Sequence, residues 1–173
     1  MRPDSEAEFR DYVIARRERL RRFAYLVCGD WYRAEDAVQT VFIKLYARWE
    51  RLRHNTALDP YVRRMVVNAL NDIGRRGWFK RERPSRTLPE QPAVDVSPDS
   101  HDREMLLRVL AQLPLRRRAT LVLRFWEDKS VEETARILNC SASTVKSQTA
   151  RGLETLRGLI SQSPSTTAEG QLR

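Results

Sequence analysis

The densest run of side chains able to do chemistry is Ser141-Ala142-Ser143-Thr144-Val145-Lys146-Ser147-Gln148-Thr149-Ala150-Arg151. It offers hydroxyls, an amide and two cations, but no histidine, cysteine or carboxylate to activate any of them. Such groups bind rather than react: hydroxyls and amides reach base edges, and cations meet phosphates. The surrounding apolar positions predict a helix from Ala142 to about Leu159, whose leading turns would enter a DNA major groove. On an ordinary helical bundle the same groups would simply be a solvated polar face. Upstream, Arg116-Arg117-Arg118 is a basic run that could grip phosphates, or equally a solvated helix start.

The elements that must position these groups have their own signals. Ser130-Val131-Glu132-Glu133 is a capping box opening a short helix Val131–Leu138. Asn139 then takes a turn position that needs a left-handed backbone, which Asn tolerates next best after Gly. Ala135 falls where a helix-turn-helix needs a small residue at the crossing, and Val145, ten residues on, falls where the second helix plugs the shared core. Ahead of them, helices are expected over Asp102–Leu113 and Leu115–Trp126, with Pro114 between.

The N-terminal part reads as three long helices. Ser5-Glu6-Ala7-Glu8 has the S-x-x-E capping pattern, and Phe9, Val13, Leu20, Phe23 and Val27 form an apolar stripe ending near Gly29. A second helix is expected from about Trp31 to Trp49, with Val38, Val41, Phe42 and Leu45 inward and Asp36, Gln39, Lys44 and Arg48 outside. The third takes Asp59 as N-cap and Pro60 as its first helical residue. Val62, Val66, Leu70 and Ile73 would be buried, leaving Arg63, Arg64, Asn68, Asn71, Asp72, Arg75 and Arg76 for the outside.

Between these parts, Arg83–His101 holds four of the chain's eight prolines and no helical repeat, so a flexible or extended linker is expected. The fold class is therefore all-α: two small helical domains, residues 1–80 and 102–160, joined by a Pro-rich linker 81–101, with a disordered tail 161–173. The 173 residues carry 32 Lys+Arg against 23 Asp+Glu, a net charge of +9. Residues 1–80 hold 17 basic and 11 acidic groups and residues 102–173 hold 12 and 8, whereas residues 81–101 hold 3 and 4, so both helical parts are basic and the linker is not. That balance points to nucleic acid.

Other classes find little support. No Gly-rich phosphate loop, HExxH or GxSxG is present, and the adjacent acids Glu35-Asp36 and Glu132-Glu133 diverge on their helices rather than converge. Cys28 and Cys140, with His54 and His101, lack zinc-ligand spacing, and both cysteines read as small buried hydrophobes. No cofactor is expected. No apolar stretch approaches 18 residues, so no membrane insertion is expected either, and the absence of an apolar run behind Met1 argues against a secretory signal and for a cytoplasmic, reduced protein.

Four motifs carry a family resemblance. Ala34-Glu35-Asp36-Ala37-Val38-Gln39-Thr40-Val41-Phe42 resembles the A-E-D-x-x-Q-x-x-F signature of bacterial sigma factors. Residues 60–72, from Pro60 to Asp72, resemble that family's helix for the −10 promoter element, and Leu113-Pro114-Leu115-Arg116-Arg117-Arg118 resembles the L-P-x-x-x-R opening of its C-terminal domain. Thr144-Val145-Lys146-Ser147 is similar to part of its −35 recognition helix. The four motifs stand in the family's order over about residues 6–160, and the size, with just two helical domains and a short linker, is similar to the extracytoplasmic-function group of the sigma-70 family. Gln148-Thr149 departs from the Arg-Leu pair frequent there and is similar to an actinobacterial subgroup with S-Q-T-x-R.

The resemblance implies a non-catalytic subunit that binds the β and β′ subunits of core RNA polymerase, recognises two promoter elements and promotes transcription initiation. Asp36, Gln39 and Phe42 would bind core polymerase. Arg63, Arg64, Asn68, Asn71, Arg75 and Arg76, with His54 and Asn55 in the preceding loop, would serve the −10 element. Arg116, Ser141, Ser143, Thr144, Lys146, Ser147, Gln148 and Arg151 would serve the −35 element. Trp49 and Tyr61 could face a flipped −10 base or anchor the loop as core aromatics. An anti-sigma factor is a further partner the resemblance admits. Two promoter elements held apart by duplex would call for two units on a strap rather than a shared core. The alternative is a stand-alone helix-turn-helix regulator, whose N-terminal part would sense or dimerise and would have no need of the Asp36/Gln39/Phe42 face.

Overall fold

The computed structural model describes residues 3–79 and 100–162, so the expected linker, apart from Ser100 and His101, and nearly all of the expected tail lie outside the described residues. The elements are α1 (Pro3–Cys28), α2 (Trp31–Tyr46), α3 (Trp49–Leu52), α4 (Leu58–Phe79), α5 (Ser100–Ala111), α6 (Leu115–Leu121), a π-helical turn (Val122–Trp126), α7 (Val131–Leu138) and α8 (Ala142–Gln162). Among the described residues there is no strand, and the all-α expectation holds.

Helix ends follow local chemistry. Gly29 closes α1 with φ +72, and its N–H donates to the Tyr25 carbonyl at 2.6 Å; without a Cβ it takes this left-handed conformation at little cost. Asp30 then caps α2, accepting from the N–H groups of Tyr32 and Arg33 at 2.8 and 3.1 Å. The capping box of α7 is complete, with Glu133 N–H donating to Ser130 Oγ at 3.1 Å and Ser130 N–H donating to a Glu133 oxygen at 2.8 Å. Asn139 follows α7 at φ 52 and ψ 56, the left-handed turn anticipated for the helix-turn-helix.

Two of the expected starts are corrected. Ser5 is buried inside α1, which begins at Pro3, so Ser5-Glu6-Ala7-Glu8 is not a cap. α4 begins at Leu58, placing Asp59 and Pro60 within its first turn. Asp59 is used elsewhere, accepting from the Tyr12 hydroxyl at 3.4 Å and pairing with Arg16 at 3.3 Å. The second expected helix also breaks after Tyr46, and Trp49 starts the short α3.

The stripes read from the sequence are buried: Leu20, Phe23 and Val27 of α1, Val38, Val41 and Leu45 of α2, and Val62, Val66 and Leu70 of α4. The same apolar cluster continues through Ala119 of α6, Val122 and Leu123 of the π-helical turn, and Ile137 and Leu138 of α7. The N- and C-terminal helices thus share one core, which corrects the expectation of two units without one. A smaller cluster, Leu110, Leu113 and Leu121 with Leu153 and Leu156, fastens α5 and α6 to α8. Gly152 of α8 lies so close to Leu121 that a Cβ there would meet Leu121 Cδ1 at 2.9 Å, so a helix–helix contact uses the missing side chain.

Candidate nucleic-acid and polymerase interface

Helix α8 stands as its sequence implies. Val145 is fully buried and holds α8 against the core, while Ser143, Thr144, Lys146, Ser147 and Arg151 are exposed. Ser141, also exposed, precedes the helix and caps it: its Oγ accepts from Thr144 N–H at 3.1 Å and lies 2.8 Å from the hydroxyls of Ser143 and Thr144. Thr149 turns inward and donates to the Val145 carbonyl at 2.8 Å. Gln148 is half-buried, and its Oε1 accepts from Arg117 Nε at 3.1 Å, which leaves the amide nitrogen as its remaining donor.

The arginine run divides three ways. Arg116 is exposed, although its Nη2 donates to the Leu138 carbonyl at 2.5 Å. Arg117 orients Gln148. Arg118 is buried and donates to the carbonyls of Ala111 and Leu113 at 2.7 and 3.1 Å, closing the C-terminal end of α5, where a cation complements the unpaired carbonyls. Burial pushes the Arg118 guanidinium below its ordinary value. The run is therefore not a continuous phosphate grip.

On α4, Asn68, Asn71, Arg75 and Arg76 are exposed, and residues 68, 71 and 75 repeat at the spacing of one helical face. His54 and Asn55 are exposed in the turn before it, where Asn55 Oδ1 accepts from Ala57 N–H at 2.9 Å. Arg63 and Arg64 depart from the expected outward position. Arg63 is 5% exposed, and its Nε and Nη2 donate to Glu127 Oε2 at 3.2 and 2.6 Å. Arg19 Nη2 donates to the same oxygen at 3.1 Å. Arg64 donates to the carbonyls of Arg136 and Ile137 at the end of α7. The physical reason is the shared core: it brings an acid of the C-terminal part against a face the sequence alone leaves to solvent.

Of the two aromatics, Trp49 is buried, with edge contacts to Phe9 at 5.2 Å between ring centroids; it anchors α1 to α3 rather than facing a base. Tyr61 is half-buried and accepts from Arg48 Nη1 at 3.2 Å.

On α2, Asp36 and Gln39 are exposed and Phe42 packs against the core. Glu35, the neighbour of Asp36, faces back to α1 and pairs with Arg17 and Arg21, each at 2.8 Å. Sequence reasoning missed Ile43, which is 72% exposed and lies seven residues after Asp36 on the same face, with Tyr46 following. The signal was available: Ile43 falls outside the Val38/Val41/Leu45 stripe, and an isoleucine there has no core to fill.

Comparison with known proteins fits this geometry. Residues 13–79 match the Sigma-70 region 2 family model and residues 103–156 match the Sigma-70, region 4 model. The chain belongs to the sigma-70 family of RNA polymerase sigma factors. It is 39% identical over 150 residues to the RNA polymerase sigma-E factor of Streptomyces coelicolor, covering 87% of this chain and 84% of that protein. It is 30% identical over 152 residues to the ECF RNA polymerase sigma factor SigM of Mycobacterium tuberculosis, covering 87% and 76%. Within the family it is an extracytoplasmic-function sigma factor. Its fold is similar to that of the sigma factor RpoE of Bartonella quintana, solved in complex with the anti-sigma factor NepR, with a TM-score of 0.69, 22% identity, and coverage of 90% of this chain and 98% of that one.

Proposed function

We propose that the chain joins core RNA polymerase through α2, reads the −10 element from α4 and its preceding loop, and reads the −35 element from the start of α8. In this reading residues 1–80 form the polymerase and −10 unit and residues 102–160 the −35 unit. Asp36 and Gln39, with Phe42 beneath them, meet the β′ clamp, and the exposed Ile43 extends that contact. Asn68, Asn71, His54 and Asn55 take −10 bases; Arg75 and Arg76 take phosphates. Ser143, Thr144, Lys146 and Gln148 reach −35 base edges, and Arg116 and Arg151 reach the backbone.

The observation that carries this reading over a stand-alone regulator is the Asp36–Gln39–Ile43 face. It is exposed and part apolar, and it stands on a helix with no place in a helix-turn-helix. The polymerase does the chemistry, so no residue here is assigned a catalytic role, and the protein works in the cytoplasm beside the polymerase. An anti-sigma factor is a fitting regulator, as one accompanies the Bartonella quintana relative. Run-off transcription with purified core polymerase tests the whole: the chain should convert core enzyme to promoter-specific initiation. A chain that binds duplex promoter DNA tightly yet never directs initiation would favour the regulator.

A further inference from the structure

We propose that Arg19 and Arg63 form an anion site for a DNA phosphate, and that Glu127 occupies it in cis, latching the free chain shut. The idea rests on the reading of α4 as the −10 element helix. Three N–H groups of Arg19 and Arg63 converge on one oxygen of Glu127, the arrangement in which arginines take a phosphate oxygen. Arg64, the next residue, is spent on two carbonyls of α7. Two of the cations nearest the start of the −10 helix are thereby unavailable to DNA.

Glu127 is the acid such a closure needs. The two helical parts are both basic, with 17 basic against 11 acidic groups in residues 1–80 and 12 against 8 in residues 102–173, so bringing them together gathers like charge. Arg63 and Glu127 are 5% and 8% exposed, and charged groups are rarely so buried unless paired. A buried ion pair adds little net stability over apolar packing, but removing one partner strands the other and strongly disfavours the arrangement that buried it. That asymmetry makes a latch: intact, the pair tolerates closure, and a phosphate competing for Arg63 releases it. Residues 80–99 lie between the two described parts in the sequence.

The test uses the full chain and two readouts: small-angle scattering for compactness, and anisotropy of a short fluorescent single-stranded DNA of mixed sequence, since a phosphate contact does not depend on bases. Wild type should be compact and bind weakly. Glu127→Gln should expand and bind about tenfold tighter, because the competent state is no longer a minority. Glu132→Gln removes the same charge from an exposed position of α7 and should change neither compactness nor, by more than a small factor, affinity. A wild-type chain already expanded in solution, a Glu127→Gln chain as compact as wild type, or equal gains from both substitutions would each overturn the latch. Where circular dichroism shows Glu127→Gln unfolded, Glu127→Asp, which withdraws the carboxylate by one methylene, should give partial expansion and an intermediate gain; wild-type behaviour would overturn the proposal. Run-off transcription separates the two ideas: an expanded Glu127→Gln chain with no promoter-directed initiation would sink the sigma reading and leave the latch standing.

Discussion

Arg63 and Glu127, 64 residues apart, meet at 2.6 Å in the core that the two halves of the chain share. Burial alone would raise the Glu127 carboxyl, but the bonds and charges of Arg63 and Arg19 outweigh it and hold it below the ordinary carboxylate value. A depressed carboxylate stabilises the fold above its unfolded value, about 4.3, and that contribution disappears as pH falls through the lower, folded value. The pair therefore gives no pH dependence between about pH 6 and 8 and contributes to the loss of stability in acid. Urea denaturation at successive pH values should show a shallower acid limb for Glu127→Gln than for wild type. Parallel acid limbs would mean that the pair is not linked to folding.

The cap of α7 offers a cleaner stability measurement. Ser130 Oγ accepts from Glu133 N–H, and the hydroxyl is exposed, so Ser130→Ala removes the bond without opening a cavity. The expected loss is about 1 kcal/mol, read as a lower denaturation midpoint with an unchanged m-value. Glu133 is itself held below its ordinary value, first by the Ser130 backbone N–H. Ser130→Ala leaves that N–H in place, so part of the cap should survive; a loss no larger than that of an exposed control serine would contradict the capping account.

The sequence told most where one element explains itself. The Ser130 box, the Asn139 turn and Val145 are local, and each appears in the structure as its residue type requires. The helix periods likewise gave the buried stripes. What the sequence concealed is tertiary. Arg63 follows Val62 on α4 but falls outside the apolar stripe, so the pattern alone leaves it to solvent; only Glu127, from the C-terminal part, makes its burial affordable. Arg118 sits in a run of three arginines that look alike, and only the end of α5 selects it for the interior. Trp49 was open to two readings because an aromatic next to a loop can face either way; Phe9 and Tyr12 on α1 decide it.

The α2 face gives a prediction about partner binding. Asp36→Ala with Gln39→Ala should weaken capture of core polymerase while leaving the circular dichroism spectrum and melting midpoint unchanged, since both side chains are exposed. Ile43→Ala should act in the same direction. It is 72% exposed, so losing it costs the fold little, whereas burying it under a partner is worth about 1–3 kcal/mol. Affinity for core measured with each variant is the check, and a triple variant that binds core as wild type does would remove the face from the function.

The last prediction separates the DNA reading proposed for α4 from that proposed for α8. Gln148 is steadied by Arg117 through its amide oxygen, while Arg151, a turn further along α8, is exposed. Gln148→Ala should therefore relax preference at one −35 position, at about 1–3 kcal/mol, whereas Arg151→Ala should weaken all sequences alike and reduce the salt dependence of binding. Arg117→Ala should resemble a mild Gln148→Ala, because it frees the amide to rotate without removing it. Asn68 and Asn71 stand three residues apart on α4, exposed, on a helix that α8 does not share. Asn68→Ala should thus shift −10 preference and leave −35 preference unchanged, the reverse of Gln148→Ala. Transcription from a promoter library with both elements randomised reads the two preferences at once. If either substitution moved both elements by similar amounts, the division of reading between α4 and α8 would be wrong, and the pair would have to be treated as one surface.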